Sequence, residues 1–234
     1  MSYTENPNAP GYWLYDGLKI QADLETHQFV VQYAKKHVPQ GARVLDVATG
    51  SGALAKQLLD AGYDVSCTSR NDHVNLPIQT YRIDLDHPFS IDEVGGRDFQ
   101  LVCCIEIIEH LENPAFFLRH CAKLVSENGW LLLSTPNVES AQARLQWLIR
   151  GCPSIFNDDE IRNNRHISMM WRQGLEYLLR QAGFDIVEKH LLGKQKFDSI
   201  AQKLLKRPVY KVMERMLIGD LVGTSRIYVL RRSG

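Results

Sequence analysis

The stretch Val44-Leu45-Asp46-Val47-Ala48-Thr49-Gly50-Ser51-Gly52-Ala53-Leu54-Ala55 decides the fold. An apolar run enters a glycine-rich turn, and the turn opens a helical pattern. Glycines let the backbone approach a ligand, and the helix start offers free N–H groups. Outward from this stretch, strands and helices alternate. Strands are predicted at 43–47, 63–68, 78–83, 99–105, 130–134, 184–191 and 226–230. Helices are predicted at 18–37, 53–61, 114–125, 139–150 and 171–182, with Asn113 and Pro114 as cap and first residue of the third. Asn128-Gly129 reads as a turn, and residues 1–16 as loosely structured around Tyr12, Trp13 and Tyr15. Alternation of this kind means βαβ units and a doubly wound, mostly parallel α/β sheet. Ligands then bind beyond the carboxyl ends of the strands.

Bulk properties narrow the choices. The 234 residues suit one large domain, with 1–40 as an N-terminal helical cap and 192–225 as a helical insertion before the last strand. Lys+Arg and Asp+Glu both total 27, so net charge gives no argument for nucleic-acid binding. Cys67, Cys103, Cys104, Cys121 and Cys152 lack zinc spacing and read as reduced thiols, which predicts a cytoplasmic protein. The polar start is no signal peptide, and no apolar run approaches the about 20 residues of a membrane helix.

The glycine loop has two readings. Gly50-Ser51-Gly52-Ala53-Leu54-Ala55 fits the G-x-G-x-x-A dinucleotide fingerprint, and Ser69-Arg70 after the second strand would suit the 2′-phosphate of NADP. That is the oxidoreductase alternative. Asp46 argues against it, because a carboxylate four residues before Gly50 would meet phosphates badly and would suit a cationic amino group. The motif resembles the first motif of class I methyltransferases, which bind S-adenosylmethionine (SAM) on a Rossmann-like seven-stranded sheet. The resemblance implies a cofactor site of Asp46, Ala48, Gly50, Gly52, Ser69, Asp84, Leu85 and Ile105. Asp84 would accept from the adenine amino group, and Leu85 would pack on the ring. Two positions depart from the family pattern. Ala48 stands where the first glycine is usual, and Ser69 where an acid usually grips the ribose hydroxyls. Asn71 is an alternative ribose contact. These departures motivate a second alternative, a methyltransferase-like protein that binds SAM without catalysis.

After the fourth strand comes Glu106-Ile107-Ile108-Glu109-His110-Leu111-Glu112-Asn113-Pro114. It resembles the E-x-x-E-H segment of small-molecule O-methyltransferases of the ubiquinone-biosynthesis type. Residues 131–137, Arg165-His166-Ile167 and 171–184 extend the resemblance. It implies methyl transfer to a hydroxyl of a small molecule or sugar, with Glu109, His110 and His166 as catalytic residues. It also implies a metal alternative, in which Glu106, Glu109 and His110, joined by His166, hold Mg2+ against the acceptor oxygens. Otherwise Glu109 or His110 is a general base, or the segment is structural.

Residues 194–218 read as two basic amphipathic helices meeting at Pro208, a lid, a dimer contact or a membrane-surface contact. Residues 151–170 read as a mobile substrate loop.

Overall fold

The computed structural model describes residues 2–7, 9, 11–70, 74–96, 98–194 and 200–233, with the side chains of 200–203 left aside. In chain order the elements are β1 (Tyr3–Glu5), β2 (Trp13–Tyr15), β3 (Leu18–Lys19), α1 (Leu24–His37), β4 (Arg43–Asp46), α2 (Ala53–Asp60), β5 (Asp64–Ser69) and β6 (Gln79–Arg82). Then follow β7 (Phe99–Ile105), α3 (Pro114–Leu124), β8 (Val125–Pro136), α4 (Ala141–Arg150) and α5 (Asp158–Asn164). The chain ends with α6 (Arg172–Gln181), β9 (Phe184–Leu192), α7 (Ile200–Met216) and β10 (Ser225–Arg232).

Among the described residues, seven strands form one sheet in the order β6-β5-β4-β7-β8-β10-β9. β4 to β8 pair in parallel, and β10 runs antiparallel to both β8 and β9. Both faces are covered, which explains the near-continuous apolar strands. Leu45, Val102, Leu131 and Leu133 face Phe117, Leu118, Leu175 and Leu179 of α3 and α6. Val44, Leu101, Cys103 and Leu132 face Val30, Ala34, Leu54 and Leu58 of α1 and α2. The strand order reverses between β4 and β7, so a crevice opens at their carboxyl ends.

Four expectations change. The described residues of 1–16 are not loose: β1 and β2, with β3 after them, form an antiparallel sheet that packs Tyr15 and Ile20 onto Ala53. Strands of two or three residues are too short to show a period. Consequently α1 starts at Leu24 rather than at 18. Asn128-Gly129 is an irregularity within β8, where the pairing with β7 jumps from Val125 to Trp130. Finally, α7 is one helix with Pro208 inside it, not two. Leu204 and Pro208 are both exposed, so the carbonyl that Pro208 leaves unbonded can reach water.

Candidate active site

The glycine loop sits at the crevice. Thr49 N–H donates to the Thr68 carbonyl at 3.0 Å, and Ala48 N–H to the Thr68 hydroxyl at 2.9 Å. These bonds tie the turn to β5. Gly50 and Gly52 have φ of +56° and +85°, which glycine adopts at no steric cost. A Cβ on Gly50 would lie 1.8 Å from Gln21 Oε1, and one on Gly52 2.8 Å from Leu76 Cδ1. Ala48 also has a positive φ, +56°, which accounts for the usual glycine there. Gln21 is a site residue that sequence reasoning missed. Its Oε1 accepts from Ser51 N–H at 2.9 Å, so the segment before α1 covers the loop.

Asp46 ends β4 and is 2% exposed. It accepts from the Thr49 hydroxyl at 2.5 Å and from the Ala55 N–H, neither of which carries charge. Burial pushes its pKa up to about 7, against a smaller downward pull from these two bonds. The carboxyl is thus held by neutral donors, and a cationic ligand group would supply the charge that they lack. That fits the ammonium of SAM.

Beside the loop lies a cavity of about 210 Å3 lined by Ala48, Thr68, Ser69, Asp84, Leu85 and His110, among others. It is smaller than the roughly 300 Å3 at which ligand pockets usually begin, so it suits one end of a ligand. Ser69, Asp84 and Leu85 would surround the nucleoside, while the glycine loop would take the amino-acid end. Ile105 and the two glycines lie outside this cavity's lining, and Asn71 lies outside the described residues. Arg70 donates to Asp84 at 2.7 Å, which holds the Asp84 carboxyl below its ordinary range. That guanidinium also lies 3.5 Å from Asp86, so it is already engaged rather than waiting for a 2′-phosphate.

The Glu-x-x-Glu-His segment leaves β7 through a residue with φ of +49°, Glu106, and a short 3-10 turn over Ile108–His110. The turn, not a helical repeat, sets the directions of the side chains. Glu109, His110 and His166 converge, with one ligand atom from each within 4.8 Å of the others. Glu109 is 1% exposed and accepts from the Thr135 hydroxyl at 3.2 Å. Burial, then the neighbouring Glu106 carboxyl, push its pKa well up. His110 Nδ1 lies 2.6 Å from the Asn164 carbonyl, and His166 Nδ1 2.6 Å from the Ile155 carbonyl. A carbonyl only accepts, so Nδ1 is the protonated nitrogen in each of these bonds, and His110 is also hydrogen-bonded to the Glu106 backbone. Burial lowers the His110 pKa, which favours a neutral ring.

Glu106 does not join this group. Its Oε1 accepts from the hydroxyls of Ser134 and Ser225, both at 2.7 Å. Of the four expected residues Glu106, Glu109, His110 and His166, the last three are brought together and Glu106 is held apart from them. Two serines from adjacent strands outcompete the cluster for Glu106. The fourth partner, His166, arrives because Ile167 and Ser168 N–H groups donate to the Glu109 carbonyl at 3.0 and 2.9 Å. The 151–170 segment contains α5, and Arg165 bridges Asp86 and Glu112 at 3.3 Å each across the cavity rim. The set of one carboxyl and two imidazoles, each ring steadied by a backbone carbonyl, has donors of the kind that a divalent ion takes.

Comparison with known proteins follows the same outline. The family described as "Methyltransferase domain" matches residues 19–189. The chain is 32% identical over 109 residues to the ubiquinone biosynthesis O-methyltransferase of Xanthomonas axonopodis pv. citri, covering 42% of this chain and 45% of that protein. A protein of the same description from Thiobacillus denitrificans is 30% identical over 105 residues, covering 42% of this chain and 45% of that protein. The chain therefore spans less than half the length of these curated relatives. Among solved structures, a SAM-dependent methyltransferase from Clostridium acetobutylicum has a TM-score of 0.60 at 11% identity, covering 92% of this chain and 94% of that one. A putative methyltransferase from Bacillus halodurans has a TM-score of 0.59 at 17% identity, covering 88% and 100%.

Proposed function

The chain belongs to the class I SAM-dependent methyltransferase family, and from that premise we propose that it methylates a hydroxyl group of a small molecule or sugar, with His110 as general base. Membership in this family leaves no place for the NADP oxidoreductase reading. The observation that carries the proposal is the convergence of Glu109, His110 and His166 beside the cofactor cavity, which His110 itself lines.

SAM, when bound, supplies a methyl group on a sulfonium centre, ready for in-line displacement. The rest is positioning and one proton. The acceptor hydroxyl would lie against the cluster, and the His110 imidazole would take its proton as the hydroxyl oxygen accepts the methyl group. His110 suits this role better than Glu109, because burial raises the Glu109 pKa, favouring its protonated form, and lowers that of His110, favouring the neutral ring that a base needs. His166 fixes the second edge of the acceptor site. Glu106, clamped by Ser134 and Ser225, takes no part in proton transfer. Glu109, His110 and His166 would also hold a divalent ion, which would lower the pKa of the acceptor hydroxyl.

The name of the relatives, ubiquinone biosynthesis O-methyltransferase, supports oxygen rather than nitrogen as the acceptor atom. The test is a panel of hydroxyl, amine and thiol acceptors, read by formation of S-adenosylhomocysteine and by the mass of the product. Methylated hydroxyls are expected, and His110→Gln should slow turnover by roughly 10^2–10^4-fold, far more than it weakens cofactor binding. Turnover of amines alone, or full activity in His110→Gln, would overturn the proposal.

A further inference from the structure

We propose that the exposed apolar face formed by α7 and the end of α4 docks onto an anionic lipid surface. It lies in the interface and does not cross it. This inference is independent of the methyl-acceptor reading.

The face is large-aliphatic and bare. On α7, Leu204, Leu205 and Met216 are 70%, 74% and 76% exposed, and Ile218 just beyond it is 92% exposed. On α4, Leu148 and Ile149 are 83% and 70% exposed, with Trp147 beside them. Single exposed leucines are ordinary, but a contiguous patch marks an interaction site. The two helices pack together, and Arg144 of α4 donates to the Ile218 carbonyl at 2.9 Å, so their exposed residues form one surface.

The pattern on α7 is that of an in-plane helix. At about 100° per residue, Leu204, Leu205, Val209, Val212 and Met216 fall within an arc of about 140°. Tyr210, 4% exposed, points the other way and anchors the helix to the body. The exposed Arg207, Lys211 and Arg215 run along one border of the arc. Over 203–215 the sequence carries Lys203, Lys206, Arg207, Lys211 and Arg215 against one acid, Glu214, in a chain whose net charge is zero. Positive charge is concentrated beside the apolar arc, which suits anionic headgroups around buried side-chain tips. No helix among the described residues is long and apolar enough to cross a membrane. A second copy of this chain fits less well. A twofold contact would bring the same cation-bordered face against itself.

Placement agrees with this use. α4 leaves the carboxyl end of β8, and the chain after α7 returns to the start of the antiparallel β10 at that same end. The docked face therefore lies at the end of the sheet that carries the Glu109–His110–His166 cluster.

The test is co-sedimentation of the full chain with phosphatidylcholine vesicles, alone or mixed with phosphatidylglycerol. Binding should be about tenfold or more stronger to the mixed vesicles and should weaken as salt is raised. Leu148→Gln/Ile218→Gln, and separately Leu204→Gln/Leu205→Gln, should cut that binding about tenfold at an unchanged melting temperature. Lys211→Glu/Arg215→Glu should remove the preference for phosphatidylglycerol. Absence of binding to mixed vesicles, or equal binding to both, would overturn the proposal. So would a dimer, seen by light scattering, that the glutamine pairs dissociate.

Discussion

Replacing Asp46 by asparagine should strengthen the ligand-free fold at high pH while removing cofactor binding. The buried carboxyl has its pKa raised from 3.8 to about 7. At about 1.36 kcal/mol per pKa unit, keeping it ionised in the fold costs about 4 kcal/mol. The sign follows from which state holds the proton. Between these two pKa values the folded chain keeps a proton that the unfolded chain has lost, so the stability of the parent falls as pH rises through that window. The loss is complete above about pH 7. The asparagine side chain cannot ionise, and its oxygen can still accept from the Thr49 hydroxyl. The stability of the variant relative to the parent should therefore grow by about 2–3 kcal/mol between about pH 5 and pH 8. Other groups that titrate in that range cancel in the difference. His27, whose pKa burial lowers from 6.5 to about 4, changes the stability of both proteins alike across part of that range and cancels in the same way. Urea unfolding of both proteins at the two pH values measures the gap, and calorimetry with S-adenosylhomocysteine reports the lost ligand. An offset that is the same at both pH values would refute the reasoning, because it would mean an Asp46 carboxyl with an ordinary pKa.

Three further outcomes follow from the site. Ser69→Asp should tighten SAM binding by about 1 kcal/mol or more through a charge-assisted bond to the ribose, and unchanged affinity would place the ribose away from the end of β5. Ala48→Gly should leave activity intact and raise stability by up to about 1 kcal/mol, since relief of the positive φ exceeds the added unfolded-state entropy; a clear loss of stability in urea unfolding would contradict the strained backbone. Turnover should persist in EDTA with His110 as the base, and loss of rate restored by Mg2+ or Mn2+ would transfer the chemistry to an ion held by Glu109, His110 and His166.

What was legible in the sequence and what was hidden have a common physical origin. The glycine loop and the Glu-x-x-Glu-His segment were legible because their chemistry sits in contiguous residues at the ends of β4 and β7. The central strands β4, β7 and β8 were legible as apolar runs covered on both faces, and the edge strands β6 and β9 from their place in the alternation with helices. Gln21 was not legible. It reaches Ser51 only after the β1–β3 sheet has packed against α2, and strands of two or three residues leave no periodic trace. Glu106 misled for a similar reason. Its spacing to Glu109 and His110 suggests one helical face, but a 3-10 turn and the hydroxyls of Ser134 and Ser225 direct it elsewhere. The Ser225 contact spans 119 positions of chain, a separation no local pattern encodes. His166 was legible only through the family resemblance, because the bonds that bring it in, from Ile167 and Ser168 to the Glu109 carbonyl, are tertiary. Pro208 read as a break because proline usually ends helices, but its exposed position lets water take the freed carbonyl.

The most direct test of the central claim is calorimetric titration of the full chain with S-adenosylhomocysteine and, separately, with NADPH. S-adenosylhomocysteine should bind at one site, Gly50→Val should abolish that binding in a protein that stays folded, and NADPH should give no binding heat. Binding of NADPH without S-adenosylhomocysteine, or a Gly50→Val variant that binds S-adenosylhomocysteine like the parent, would contradict the assignment of the glycine loop as a SAM site.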